Sequence, residues 1–150
     1  MPRLIYLAVF SNGLQPAHQA IFVPTGDTGE VGKVIHVTGN PTTGFCLQFK
    51  RNYNFLTDNR KYVTLPLGEV EDQCIKDTVG NGNEGMDTTA RDQLESIALV
   101  VEPPKSNLDL SDPLALTCHD WILAFVQKLV DDGIVTERAI SVVQDGPKIL

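Results

Sequence analysis

Residues 117–130, Thr-Cys-His-Asp-Trp-Ile-Leu-Ala-Phe-Val-Gln-Lys-Leu-Val, constrain the fold more than any other stretch. Cys118, Trp121, Ile122, Phe125 and Leu129 recur at the spacing of one helix face, about 3.6 residues per turn. Asp120, Gln127 and Asp131 fall on other sides. Thr117 is a good N-cap, because its hydroxyl can accept a hydrogen bond from an unpaired first-turn amide. Gly133, after Asp131 and Asp132, is the expected left-handed residue past the helix end. A helix with one apolar stripe must lay that stripe on a second layer.

The N-terminal half supplies that layer. Residues 4–10 are a nearly continuous apolar run, as in a buried central strand. Residues 18–23 and 33–38 read as the next two strands, an antiparallel hairpin joined by a glycine-rich segment. Residues 45–51 and 61–67 read as two more. Pro66 lacks an amide hydrogen and moves the last of these toward a sheet edge. Residues 52–59 read as a turn. A short helix is expected over 70–79, with Val70, Cys74 and Ile75 inward. A second is expected over 87–99, capped by Asp87 or Thr88, with Ala90, Leu94, Ile97 and Val101 facing the core. A third is expected within 134–143, capped at Thr136. Residues 80–85 break the chain firmly, and 103–113 form an extended surface segment. The pattern predicts one α+β domain over residues 1–150: an antiparallel β-sheet of about four to six strands, packed by helices, with the Cys118 helix lying across it.

The net charge of −7 argues against nucleic-acid binding, since phosphate contacts need clustered Lys and Arg. No apolar run approaches the roughly 20 residues of a membrane-spanning helix. The run 4–10 is followed by no convincing small-x-small cleavage site and suits a strand better than a signal peptide. Three cysteines, 46, 74 and 118, are odd in number and lack metal-like spacing. A reducing cytoplasmic location is therefore the expectation.

Cys118 carries the sharpest chemical expectation. A thiol at a helix N-terminus sits near the positive end of the dipole, which lowers the cost of forming thiolate. A cysteine nucleophile also needs a base, and the base needs an orienting partner. His18 starts one strand of the hairpin and His36 lies late in the other. The two come close in space if the register puts both on one face. His18 is thus the candidate base and His36 the candidate orienter. The Cys118 backbone amide is one candidate oxyanion donor, and Tyr6 or Gln19 a second. His119 is turned about 100° from Cys118 around the helix and is the poorer candidate base.

Other readings of the same residues stay open. Cys118 can be a small buried hydrophobe and the histidines ordinary strand residues, in a binding or interaction module without catalysis. Cys118, His18 and His36 can instead be zinc ligands, though only three are in view. Asp27, Glu30, Glu69, Glu71 and Asp72 read as solvated acids. Gly26-Asp27-Thr28-Gly29 superficially matches the aspartic-protease turn, but four residues are weak evidence. The glycine-rich segments lack the lysine of a phosphate-binding loop. No cofactor or metal is expected.

The run His18-Gln-Ala-Ile-Phe-Val23, then Lys33-Val-Ile-His36-Val37, then a helix opening at Cys118 resembles the circularly permuted papain-like group. That is the permuted NlpC/P60 superfamily, which includes lecithin:retinol acyltransferase-like proteins. The matching segments are residues 16–40 and 116–130. The opening strand, Pro103-Pro104 and Cys118-His-Asp-Trp121 also resemble small uncharacterised fungal proteins. Lecithin:retinol acyltransferase-like proteins carry Asn-Cys-Glu-His-Phe where this chain has Thr117-Cys118-His119-Asp120-Trp121, and their hydrophobic C-terminal anchor is absent here. The resemblance implies a permuted papain-like topology. It also implies a cysteine hydrolase or acyltransferase acting on an amide, ester or thioester of a small-molecule or peptide acyl substrate. In that reading Cys118 attacks the carbonyl, His18 carries the proton and His36 holds His18.

Overall fold

The computed structural model describes residues 2–12, 17–25, 30–40, 43–58, 60–77, 82–104 and 117–147. The expectations for 26–29, 78–81 and 105–116 fall outside the described residues. Among the described residues six strands and three α-helices follow in order: β1 Pro2–Phe10, β2 His18–Pro24, β3 Val31–Asn40, β4 Gly44–Asn54, β5 Tyr62–Glu71, β6 Gly85–Asp87, α1 Gln93–Leu99, α2 Cys118–Asp131 and α3 Arg138–Asp145. The strands form one sheet in the order β5-β1-β2-β3-β4-β6, and every pairing is antiparallel.

Side chains alternate between the faces of a strand, and here the alternation divides the interior in two. Ile5, Leu7 and Val9 of β1, Ile21 and Val23 of β2, Ile35 and Val37 of β3 and Phe49 of β4 share one cluster with the helices. The α2 stripe delivers Trp121, Ile122, Phe125, Val126 and Leu129 to it, all buried. Each such large side chain contributes roughly 1.5–3 kcal/mol by leaving water. The intervening residues, Ala8, Phe10, Ala20, Phe22 and Val34, form a second cluster with Tyr53 and Phe55. The sheet thus has a helix-covered face and an aromatic face.

Thr117 caps α2 as expected, with Asp120 returning the favour in a capping box: the Thr117 N–H donates to Asp120 Oδ2 at 2.7 Å. Gly133 takes a left-handed φ of 74° just past the helix. Gly32, inside the β2–β3 hairpin, has no room for a side chain, since a Cβ there would lie 2.2 Å from the Val23 carbonyl oxygen. Pro66 does lie in an edge strand, and the β1–β5 register slips there: Ile5 pairs with Gly68 but Tyr6 with Pro66.

Two helix expectations need correction. Residues 70–77, the described part of the segment expected as a helix over 70–79, do not form an α-helix: Val70 pairs with Arg3 in the sheet, and a 3₁₀ turn, Asp72–Cys74, follows. Val70, Cys74 and Ile75 are nevertheless buried. The helix expected from residue 87 starts only at Gln93, capped by Asp92, whose Oδ1 accepts from the Glu95 N–H at 2.8 Å. Asp87 is drawn into β6 because its carboxylate binds the Arg51 guanidinium. The start of α3 also lacks the expected Thr136 side-chain cap; the Thr136 carbonyl accepts from Ala139 instead.

The α1–sheet junction holds a charge cluster that no periodicity announces. Glu95, fully buried, accepts from Lys33 Nζ at 2.6 Å and from Arg51 at 2.7 and 2.8 Å. Asp92 completes the cluster by pairing with Lys33. Burial alone would raise the Glu95 pKa, but hydrogen bonds from Arg51 and Lys33 hold it below its ordinary value. Among the described residues, no helix is long and apolar enough to cross a membrane.

Candidate functional site

The register brings His18 and His36 together. Both sit on the aromatic face, in step with Ala20 and Phe22 on β2 and with Val34 on β3. His18 Nε2 lies 2.7 Å from His36 Nδ1. The His18 ring stacks on Phe10, with centroids 6.0 Å apart. Burial lowers the His18 pKa to about 4, helped by the charges of Arg60 and Lys50. Burial likewise lowers His36 to about 3, helped by His18 and Lys50. Both rings are therefore neutral near pH 7, and one donates to the other across the short contact.

Gln48 lies opposite His36 across the β3–β4 ladder, and its side chain acts in the sense that raises the His36 pKa, against the larger lowering by burial. The short contact engages His18 Nε2 and His36 Nδ1, and the buried His36 Nε2 has no hydrogen-bond partner among the described residues. In the tautomer with His18 Nε2–H as the donor, the lone pair of His18 Nδ1 is available as a base.

Cys118 reaches the same strand end from the helix face. The β2–β3 ladder stops at Ile21 and Ile35, so the first residues of β2 are open on the β3 side. The start of α2 meets them there. The ring of His119 donates from Nε2 to the Ala17 carbonyl, and the Gln19 backbone N–H hydrogen-bonds the Cys118 sulfur. Sulfur and base thus sit at successive residues of β2, Gln19 and His18. Among the described residues no hydrogen bond joins the Cys118 sulfur to either ring. The sulfur packs with the helix-side cluster, whereas the rings lie on the aromatic face.

The thiol is not activated by the helix end as expected. Burial pushes the Cys118 pKa up, and the Asp120 carboxylate adds to the rise. The backbone N–H groups of Gln19, Cys118 and His119 pull it down by less. Desolvation of a half-buried sulfur outweighs the dipole here.

The remaining candidates sort plainly. His119 is a clip that seats α2, consistent with its rejection as the base. Tyr6 pairs with Phe22, toward the opposite end of β2 from His18, and is not at the site. The Gln19 side chain is fully buried and donates to the Pro147 carbonyl; the backbone N–H is what faces the sulfur. Cys118, His18 and His36 do not form a zinc site, since no described group of three or more His, Cys, Asp or Glu side chains is placed to hold a metal ion. Glu69, Glu71 and Asp72 are exposed, as solvated acids should be.

The aromatic face also holds residues that sequence reasoning missed. Arg60 lies 4.3 Å over the Phe10 ring and binds Asp58, whose Oδ2 also accepts from the Tyr53 hydroxyl at 2.5 Å. Asp58 is held far below the usual carboxylate range, chiefly by the hydrogen bond from Arg60. Lys50 stands two residues along β4 from Gln48, on the same side. The alternation Gln48-Phe49-Lys50 was visible in the sequence, but not the register that puts Gln48 opposite His36. Lys50, Tyr53, Thr57, Asp58, Glu84 and Met86 line a cleft of about 590 Å³.

No curated protein and no solved structure matches the chain. Residues 5–136, which include His18, His36, Gln48 and Cys118, match a family model, and the chain belongs to DUF6540, a family of unknown function.

Proposed function

We propose that this chain is a cysteine-dependent hydrolase or acyltransferase that works through an acyl-cysteine intermediate. The observation that carries the reading is the 2.7 Å contact between His18 and His36 at the strand end where Gln19 meets the Cys118 sulfur. The resemblance to permuted papain-like enzymes assigns the same three residues to nucleophile, base and orienter.

Because the thiol pKa is raised and the imidazoles are neutral, the resting site is an uncharged pair. Proton transfer then accompanies attack, as general-base catalysis, and no preformed thiolate is needed. The Cys118 proton passes to His18 Nδ1 as the sulfur bonds the carbonyl carbon. The carbonyl electron pair moves to oxygen, and the backbone N–H groups of Cys118 and Gln19 are the nearest donors for it. His18 returns the proton to the leaving amine, alcohol or thiol, and an acyl-cysteine remains. Water or a second nucleophile then attacks, giving its proton to His18, and the thiol is regenerated. The reading requires the α2 start and the His18 ring to bring sulfur and imidazole into hydrogen-bond reach at the open end of β2.

A second reading, a binding module with a structural cysteine, is favoured by the absence, among the described residues, of a sulfur–imidazole hydrogen bond and by the raised thiol pKa. One experiment separates the two. Cys46 is exposed and free, so a Cys46→Ser background is used. Incubation with 4-nitrophenyl acetate, followed by intact-mass and peptide analysis, is expected to show an acetyl group on Cys118. His18→Ala is expected to slow that acylation by roughly 10²-fold or more, and Cys118→Ala to abolish it. Absence of acyl-Cys118, with equally slow iodoacetamide labelling of wild type and His18→Ala, establishes the binding module.

A further inference from the structure

We propose that the cleft beside the histidine pair binds a small-molecule oxyanion, carboxylate or phosphate, with the Lys50 ammonium as its anchor. The inference goes beyond the proposed catalysis, because it does not need Cys118 to react.

The other charges that meet at the cleft are engaged. Asp58 is taken up by Arg60 and Tyr53. Arg51 turns to Asp87 and Glu95 at the α1 junction. Glu84 accepts from the Thr57 hydroxyl at 2.9 Å. Lys50 is different: among the described residues its ammonium has neither a hydrogen bond nor an ion pair, and it sits 5.2 Å from the centroid of the Tyr53 ring. The side chain is half-buried. A half-buried ammonium without an anion loses hydration that no protein group restores. Burial, followed by the nearby Arg60 charge, lowers the Lys50 pKa, and Asp58 and Glu84 do not restore it. A ligand oxyanion supplies the missing partner.

The cleft also suits such a ligand by size and walls. Its volume, about 590 Å³, falls in the range of small-molecule sites. Tyr53 and Met86 give it apolar surface; among its polar lining residues, which include Thr57, Asp58 and Glu84, Lys50 is the cation with no hydrogen bond or ion pair among the described residues. Its place on β4 fits the histidine pair: Lys50 and Gln48 are two residues apart, about 7 Å along a strand. An acyl chain with an anionic end can therefore be held at Lys50 while its carbonyl lies near His18. This last link rests on the proposed catalysis; the binding itself does not.

The test is calorimetric titration of the full chain with succinate and, separately, with inorganic phosphate. Binding of one or both is expected, and the tighter one names the source of the oxyanion. Lys50→Met is expected to weaken binding about tenfold or more, Lys50→Arg to retain it, and Glu84→Gln to tighten it by removing a competing carboxylate. Retention in Lys50→Arg together with loss in Lys50→Met excludes misfolding as the cause. Cys118→Ser is expected to bind as wild type does, which keeps this result separate from the fate of the catalytic reading. Failure of both anions to bind at millimolar concentration overturns the proposal, as does unchanged binding by Lys50→Met.

Discussion

Glu95 is the residue on which the charge distribution of the helix-side core turns. Among the described residues it alone receives both buried cations, Lys33 and Arg51. Removing one partner of a buried ion cluster leaves uncompensated charge in a poor solvent for it. Glu95→Ala is therefore expected to lower stability by about 3–5 kcal/mol, read as a shift in urea midpoint, and a loss below about 1 kcal/mol would refute the assignment. At this scale the sequence was readable where topology forced an answer. A hairpin beginning at His18 and ending just after His36 brings those two rings close, and they meet. Lys33 and Glu95 were unreadable together, because their pairing depends on where α1 crosses the sheet. The side from which Cys118 approaches β2 was not readable for a related reason: helical spacing turns the sulfur toward the sheet but does not say which side of a strand it meets.

The first turn of α2 joins stability to thiol chemistry within one element. Asp120 closes the capping box with Thr117, and its charge also raises the Cys118 pKa. Asp120→Asn keeps an acceptor oxygen but removes the charge. The expected result is a stability loss within about 1 kcal/mol together with a thiol pKa below that of wild type. Iodoacetamide rates against pH, in the Cys46→Ser background, read the second effect; an unmoved profile would mean that Asp120 does not act on the sulfur. The α2 stripe and its cap were legible because propensity, capping and apolar period agree. The start of α1 was not, because Asp87 and Asp92 are equally good caps by residue type. The ion pair of Asp87 with Arg51, a long-range event, left Asp92 to take the role.

Across the whole molecule the histidine pair sets an acid limit. Each ring has a folded-state pKa, about 4 for His18 and about 3 for His36, below its ordinary 6.5. The unfolded chain thus binds more protons than the folded one once the pH drops below 6.5. The stability linked to neutral rings is complete above pH 6.5 and is lost as the pH falls through about 4. The pair acts as a coupled unit, and its loss is on the order of 3 kcal/mol. Thermal melts between pH about 7.5 and about 4.5 should show a falling Tm, and His36→Gln should flatten that slope. Equal slopes in both proteins would show that carboxylates alone set the acid limit.

The two borders of the sheet have a consequence of their own. A border strand normally offers a row of open amides on which a foreign strand can grow. On one side that row is interrupted by Pro66 and the register slip beside it; on the other the last strand is only three residues long. A fold so rich in strands would otherwise invite templated stacking into fibrils, and these two interruptions work against it.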